Sequence, residues 1–189
     1  MGFLIRAAVL GLFFASAPAV LGGEDGVIEV TDSRKDTEIL IAKILKERLK
    51  IDPSLKIRGG DAEDLLVQIK LGANKELGLP VIAYIIDTQV MRRDKDGKAT
   101  SQVIGIDSFS NIKPAPDKVA GLLAWANKWN SRTLPIRIYI AGDRIVVGQN
   151  LLITKRAPLA ENQLLSTLST IVQFWPVLLK DLRAQGIIE

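Results

Sequence analysis

The stretch Leu134-Pro-Ile-Arg-Ile-Tyr-Ile-Ala-Gly-Asp-Arg-Ile-Val-Val-Gly-Gln-Asn-Leu-Leu-Ile-Thr154 decides the fold. Gly142-Asp143 reads as a two-residue hairpin turn, which glycine at its first position permits. That assumption pairs Ala141 with Arg144, Ile140 with Ile145, Tyr139 with Val146 and Ile138 with Val147. Side chains alternate between the faces of a strand. One face then collects Leu134, Ile136, Ile138, Ile140, Ile145, Val147, Leu151 and Ile153. The other collects Arg137, Tyr139, Arg144, Val146, Gly148 and Asn150. Only Gln149 falls on the wrong side, and a slip of one residue would mix the two sets. The pattern predicts two antiparallel strands buried on one face only.

Upstream, Pro114-Ala-Pro116-Asp117 opens a helix, a place that tolerates proline. Val119, Leu122, Leu123, Ala126 and Trp129 form its apolar face. Asn130 suits a left-handed residue past its end. Before it, Val81 to Ile86 and Val103 to Phe109 read as strands, rich in β-branched residues. Asp96-Gly97 marks a hairpin between them. Leu65 to Leu71 reads as a further strand, after a turn at Arg58-Gly59-Gly60-Asp61. Thr31-Asp32-Ser33 offers N-caps for a first helix carrying Leu40, Ile41, Ile44, Leu45 and Leu49, with Lys43, Lys46, Glu47 and Lys50 facing water. Asp52-Pro53 stops it. Downstream, Ala160-Glu161 opens a last helix with Leu164, Leu165, Leu168, Ile171, Val172 and Trp175. Pro176 is expected to kink or split it. The order is α-β-β-β-α-β-β-α: an α+β domain with an antiparallel sheet of about five strands and helices on one face.

The 189 residues have room for one domain. At the start, Arg6 is a short basic region, Ala7 to Ala15 is apolar, and Ala17-Pro18-Ala19 is a small-x-small cleavage site. The expectation is a signal peptide over 1–19, cut after Ala19. A mobile lead-in or short edge strand follows over 20–30, then a single domain over 31–189. Such a chain would be exported, to the periplasm. The alternative is an uncleaved N-terminal anchor from Phe3 to Leu21, interrupted by Arg6, proline, glycine and Ser16. Spanning takes about 20 apolar residues.

The chain contains no histidine and no cysteine. That removes the commonest general base, thiolate nucleophiles and disulfides. The formal charge is +4, but acids and bases are interspersed and no nucleic-acid-reading motif occurs. Asp94-Lys-Asp96-Gly97 opens like a calcium loop but lacks the closing glutamate, so it reads as a turn. No metal site and no cofactor is expected. Asp87 and Asp107, at the ends of neighbouring strands, are the one pair that could do acid–base work; solvated strand ends explain them more simply. Trp125, Trp129 and Trp175 read as core rather than as an aromatic ligand box. On the outward face Arg137, Tyr139, Arg144 and Val146 are the candidate contact surface, since exposed tyrosine and arginine are enriched at binding hot spots.

Residues 119–182 resemble the YbjN family, described as bacterial sensory-transduction regulators. The resemblance rests on Trp129-Asn130 closing a helix, Ile138-Tyr139 in a strand, the apolar strand Val146 to Ile153, and Phe174; Val103 to Phe109 fits loosely. It implies a fold like that of type III secretion chaperones, with Trp129 and Asn130 as structural motif residues. It implies no catalytic residue, and often a homodimer. The expected function is non-enzymatic protein or peptide binding, chaperone-like or regulatory, in the periplasm. The alternatives are a histidine-free hydrolase-like enzyme using Asp87 and Asp107, or a membrane-anchored accessory protein.

Overall fold

The computed structural model describes residues 26–75, 79–132, 136–142 and 144–188. The expected signal peptide, most of the lead-in, Leu134 and Asp143 lie outside them. Within them the chain runs β1 (Val27–Ile28), α1 (Arg34–Leu49), β2 (Ser54–Arg58), β3 (Asp61–Leu71), β4 (Ile82–Arg93) and β5 (Ala99–Ser110). It continues through a 3-10 turn (Pro116–Lys118), α2 (Val119–Asn130), β6 (Arg137–Ala141), β7 (Arg144–Thr154), β8 (Leu159–Ala160) and α3 (Glu161–Ala184). Six strands form one antiparallel sheet in the order β2-β3-β4-β5-β7-β6. The architecture is the expected α+β one, with β2 added at an edge.

The β6–β7 hairpin has the register read from the sequence: Ala141 opposite Arg144, Ile140 opposite Ile145, Tyr139 opposite Val146 and Ile138 opposite Val147. Gly142 holds φ 63°, a left-handed conformation that favours glycine. Ile136, Ile138, Ile145, Val147, Leu151 and Ile153 are buried, and Ile140 is half-buried. Their row continues across the sheet through Ser108, Tyr84 and Ile69. All three helices pack on this face, because only it offers an unbroken apolar surface. Two buried polar contacts fix α3 there. The Trp175 indole donates to Ser108 Oγ at 2.9 Å, and the Tyr84 hydroxyl donates to the Leu168 carbonyl at 3.3 Å.

Helix α1 starts where the caps predict: Ser33 Oγ accepts from the Asp36 amide at 3.1 Å. It ends at Lys50, which adopts φ 54° ahead of Asp52-Pro53. Of the two readings of the lead-in, Val27–Ile28 takes the strand. It pairs with β8, and the Glu161 amide donates to the Gly26 carbonyl at 2.9 Å. Glu161 also holds Arg48 of α1 at 3.0 Å, so this small sheet ties the start of α3 to α1.

Three details depart from the sequence reading. Val119 and Leu123 are exposed, whereas Leu122, Trp125 and Ala126 carry the buried side of α2. Leu123 lies about 100° round the helix from Leu122, at the rim of the stripe. Asn130 is not left-handed; it is the last helical residue, and its side chain does the work described below. Finally, α3 runs through Pro176 as one 24-residue helix. Proline removes one helical hydrogen bond, at a cost of about 3 kcal/mol. Trp175, Leu178, Leu179 and Leu182 are buried on both sides of it, at about 1.5–3 kcal/mol per fully buried large apolar side chain, which outweighs that loss.

Candidate functional site

With the helices on one side, no helix or second sheet among the described residues covers the opposite face. Strand pairing lays its side chains out in rows. One row runs Tyr139, Val146, Phe109, Ala83, Lys70; the next runs Arg137, Gly148, Asp107, Ile85, Gln68. Tyr139, Phe109, Ala83 and Ile85 on this face are half-buried. Val146 lies on this face as expected, but it is 3% exposed between Tyr139 and Phe109, and so offers almost no contact area itself.

Two arginines grip the aromatic rings. The Arg137 guanidinium carbon lies 5.7 Å from the centre of the Tyr139 ring, and that of Arg144 lies 5.4 Å from the Phe109 ring. Each such contact contributes about 0.5–1 kcal/mol at an exposed site. Arg137 also donates to Asn150 Oδ1 at 2.9 Å and faces Asp107 Oδ1 at 3.8 Å. Gly148 makes this possible. A Cβ there would collide with Asp107 Oδ1, so the carboxylate lies in the space that the glycine leaves. Burial first, and then the neighbouring Asp107 carboxylate, hold the Tyr139 phenol well above its ordinary pKa. The ring therefore stays neutral throughout the physiological range, an apolar body with a hydroxyl tip.

Asp87 and Asp107 lie on adjacent strands of this face, displaced diagonally, because Asp87 sits opposite Gly105 and Asp107 opposite Ile85. Each is answered by an arginine. Arg58 donates to both Asp87 oxygens at 2.8 and 3.1 Å and to Asp64 at 2.9–3.1 Å, and Arg34 donates to Asp64 Oδ1, an oxygen that Arg58 also bonds. Each carboxylate therefore faces a guanidinium rather than the other carboxylate, closely for Asp87 and at 3.8 Å for Asp107. Asp94, the calcium-loop candidate, spends Oδ1 on the amides of Asp96 and Lys98 at 3.0 and 2.9 Å, as a turn residue does. Those amides lower its pKa.

The tryptophans divide into two sites rather than one box. Trp125 and Trp129 have ring centres 6.2 Å apart, and both indoles donate to one oxygen, Asp181 Oδ2, at 2.7 and 2.8 Å. These bonds, the Trp129 one first, lower the pKa of Asp181. Trp175 bonds Ser108 instead. Asn130 donates from Nδ2 to the Ile138 carbonyl and accepts at Oδ1 from the Ile138 amide, both at 2.7 Å. Its carboxamide supplies to β6 what a neighbouring strand would.

Sequence reasoning missed one buried group. Glu38 of α1 is 0% exposed. Its Oε1 accepts from the Thr88 amide at 3.0 Å; among the described residues Oε2 has no hydrogen-bond partner, nor do Thr88 Oγ1 and Arg34 Nε. Burial raises its pKa from 4.5 to about 7; the Thr88 bond, Arg34 and Arg58 oppose the rise and Asp87 adds to it. The signal was present, since Glu38, Ile41, Ala42 and Leu45 follow helical spacing on the buried side. Asp181 was legible in the same sense: two indole N–H groups one turn apart require an acceptor when buried.

No family model matches the chain, and no curated protein matches it in sequence. Among solved structures it is similar to the crystal structure of YbjN, a proposed transcription regulator from E. coli, with 14% identity and a TM-score of 0.49 over 80% of this chain and 94% of that one. Among the described residues no helix is long and apolar enough to cross a membrane.

Proposed function

We propose that this chain is a non-enzymatic protein- or peptide-binding domain, exported to the periplasm, whose contact surface is the outer sheet face around Arg137, Tyr139 and Arg144. The observation that carries the reading is a sheet face that no helix among the described residues covers, on which two aromatic rings lie beneath arginine side chains. Rings and guanidinium groups fixed in this way lose little side-chain freedom on binding, which is the usual property of a hot spot. Arg144 is exposed, and among the described residues no ion pair engages it, so its charge is available to a partner.

The double variant Arg137→Ala/Tyr139→Ala tests the site. Both residues stand off the helical core, so folding should survive. A protein retained by the wild-type chain in a quantitative pull-down, or self-association seen by sedimentation, should fall at least tenfold. Unchanged association by a normally folded variant removes the outer face from consideration. Export is tested separately by the intact mass of the mature chain. A start at Val20 supports cleavage, and retention of Met1 favours the anchored alternative.

A further inference from the structure

A six-stranded open sheet has two edges, here β6 and β2. They are treated differently. At β6 both backbone groups of Ile138 that face away from β7 are already bonded by the Asn130 carboxamide. An incoming strand would have to displace it. At β2 no strand among the described residues lies beyond Ser54–Arg58, and four of its five residues are exposed. Leu55 and Ile57 stand opposite Val67 and Leu65 in β3, which are buried beneath the helices. They therefore continue the core-side rows of the sheet, yet they are 41% and 60% exposed. Lys56, between them, points to the outer side, is exposed, and has no ion pair among the described residues.

We infer that β2 is a strand-addition site for an extended segment of a partner protein that carries apolar residues on one side and a carboxylate between them. Backbone groups at a free edge supply affinity, and alternate side chains supply selectivity. The two apolar residues of the segment would lie beside Leu55 and Ile57, completing the rows that β2 leaves unfinished. Its carboxylate would face Lys56, an opposite-charge cross-strand pair. A second copy of the chain fits worse. Full antiparallel pairing of two β2 strands sets Lys56 against Lys56, and like charges directly opposite are destabilising. Lysine on an edge is a known device against self-pairing, and it leaves an acidic segment free to bind. Arg58, fixed by Asp64 and Asp87, holds the end of the strand in place. This inference concerns a surface other than the outer face, so either can fail alone.

The test titrates the isotope-labelled full chain with a capped peptide of threonine, valine, glutamate, valine and threonine, and with its lysine counterpart. Amide shifts should move in residues 54–58 and stay fixed in 137–141. Lys56→Glu, at an exposed position, should weaken the glutamate peptide at least tenfold and make the lysine peptide the preferred one. Arg137→Ala/Tyr139→Ala should leave binding of the glutamate peptide unchanged. No shifts in β2 at millimolar peptide, or binding indifferent to Lys56→Glu, would overturn the inference. Binding abolished by the outer-face variant would overturn it too, assigning the peptide to that other surface.

Discussion

Glu38→Gln is expected to stabilise the fold at pH 8 and to leave it nearly unchanged at pH 4. The Glu38 carboxyl is buried, one oxygen has no partner among the described residues, and its pKa is raised from 4.5 to about 7. A carboxyl whose folded pKa exceeds its unfolded value favours folding in its protonated form. Its contribution is therefore fully favourable below about pH 4.3, the ordinary glutamate value. It is lost as the pH rises towards 7, and above 7 the fold carries the whole cost of an ionised carboxylate. At about 1.4 kcal/mol per pKa unit that cost is roughly 3–4 kcal/mol, with the attraction of Arg34 and Arg58 already counted in it. Glutamine keeps the oxygen that accepts from the Thr88 amide and offers an N–H₂ where the protonated acid would have its O–H. Chemical denaturation of both proteins at pH 4 and pH 8 checks this. A variant no more stable than the wild type at pH 8 would show that Glu38 is accommodated as an anion.

The second large effect runs the other way. Asp181→Ala leaves the Trp125 and Trp129 indole N–H groups without their common acceptor, and Trp125 is only 2% exposed. A hydrogen bond to a charged group contributes about 1.5–3 kcal/mol, and two bonds to one oxygen add less than twice that. The expected loss is about 2–4 kcal/mol, read from the denaturation midpoint, with a shift in tryptophan emission as α2 loosens from α3. Asp181→Asn retains an acceptor oxygen without the charge and should recover part of the loss. The pH sense is opposite to that of Glu38. A depressed carboxylate pKa contributes stability present above the unfolded value near 4, and lost as the pH falls through the folded one. The two groups therefore act in different windows, Glu38 between about 4.3 and 7, Asp181 below that. If Asp181→Ala unfolds at the wild-type midpoint, the indoles find water and the bridge between the helices contributes nothing.

Much of the architecture was legible because it follows from period. The β6–β7 hairpin needed only one glycine at a turn and alternating isoleucines, and every pair then fell into place. The candidate face was legible for the same reason, since Arg137, Tyr139 and Arg144 are the residues left over when the isoleucines turn inward. β2 was not. Five residues with two apolar side chains, both still exposed in the folded sheet, make too weak a pattern beside a turn. That α3 does not split at Pro176 was open in the sequence, because a proline states its local cost while the burial that offsets it comes from the sheet below.

By itself the sequence determined which side of each core strand is apolar, where the turns lie, and which chemistries have no residues to perform them. Those properties depend on residues a few places apart, whose geometry the backbone dictates. Only the tertiary structure decided that Val146 is closed over, that Asn130 caps one sheet edge while no strand among the described residues pairs beyond β2, and that Asp181 serves two tryptophans. It alone showed Glu38 buried with one oxygen unmatched. Each of those depends on groups distant along the chain meeting at hydrogen-bonding distance, which periodicity does not encode.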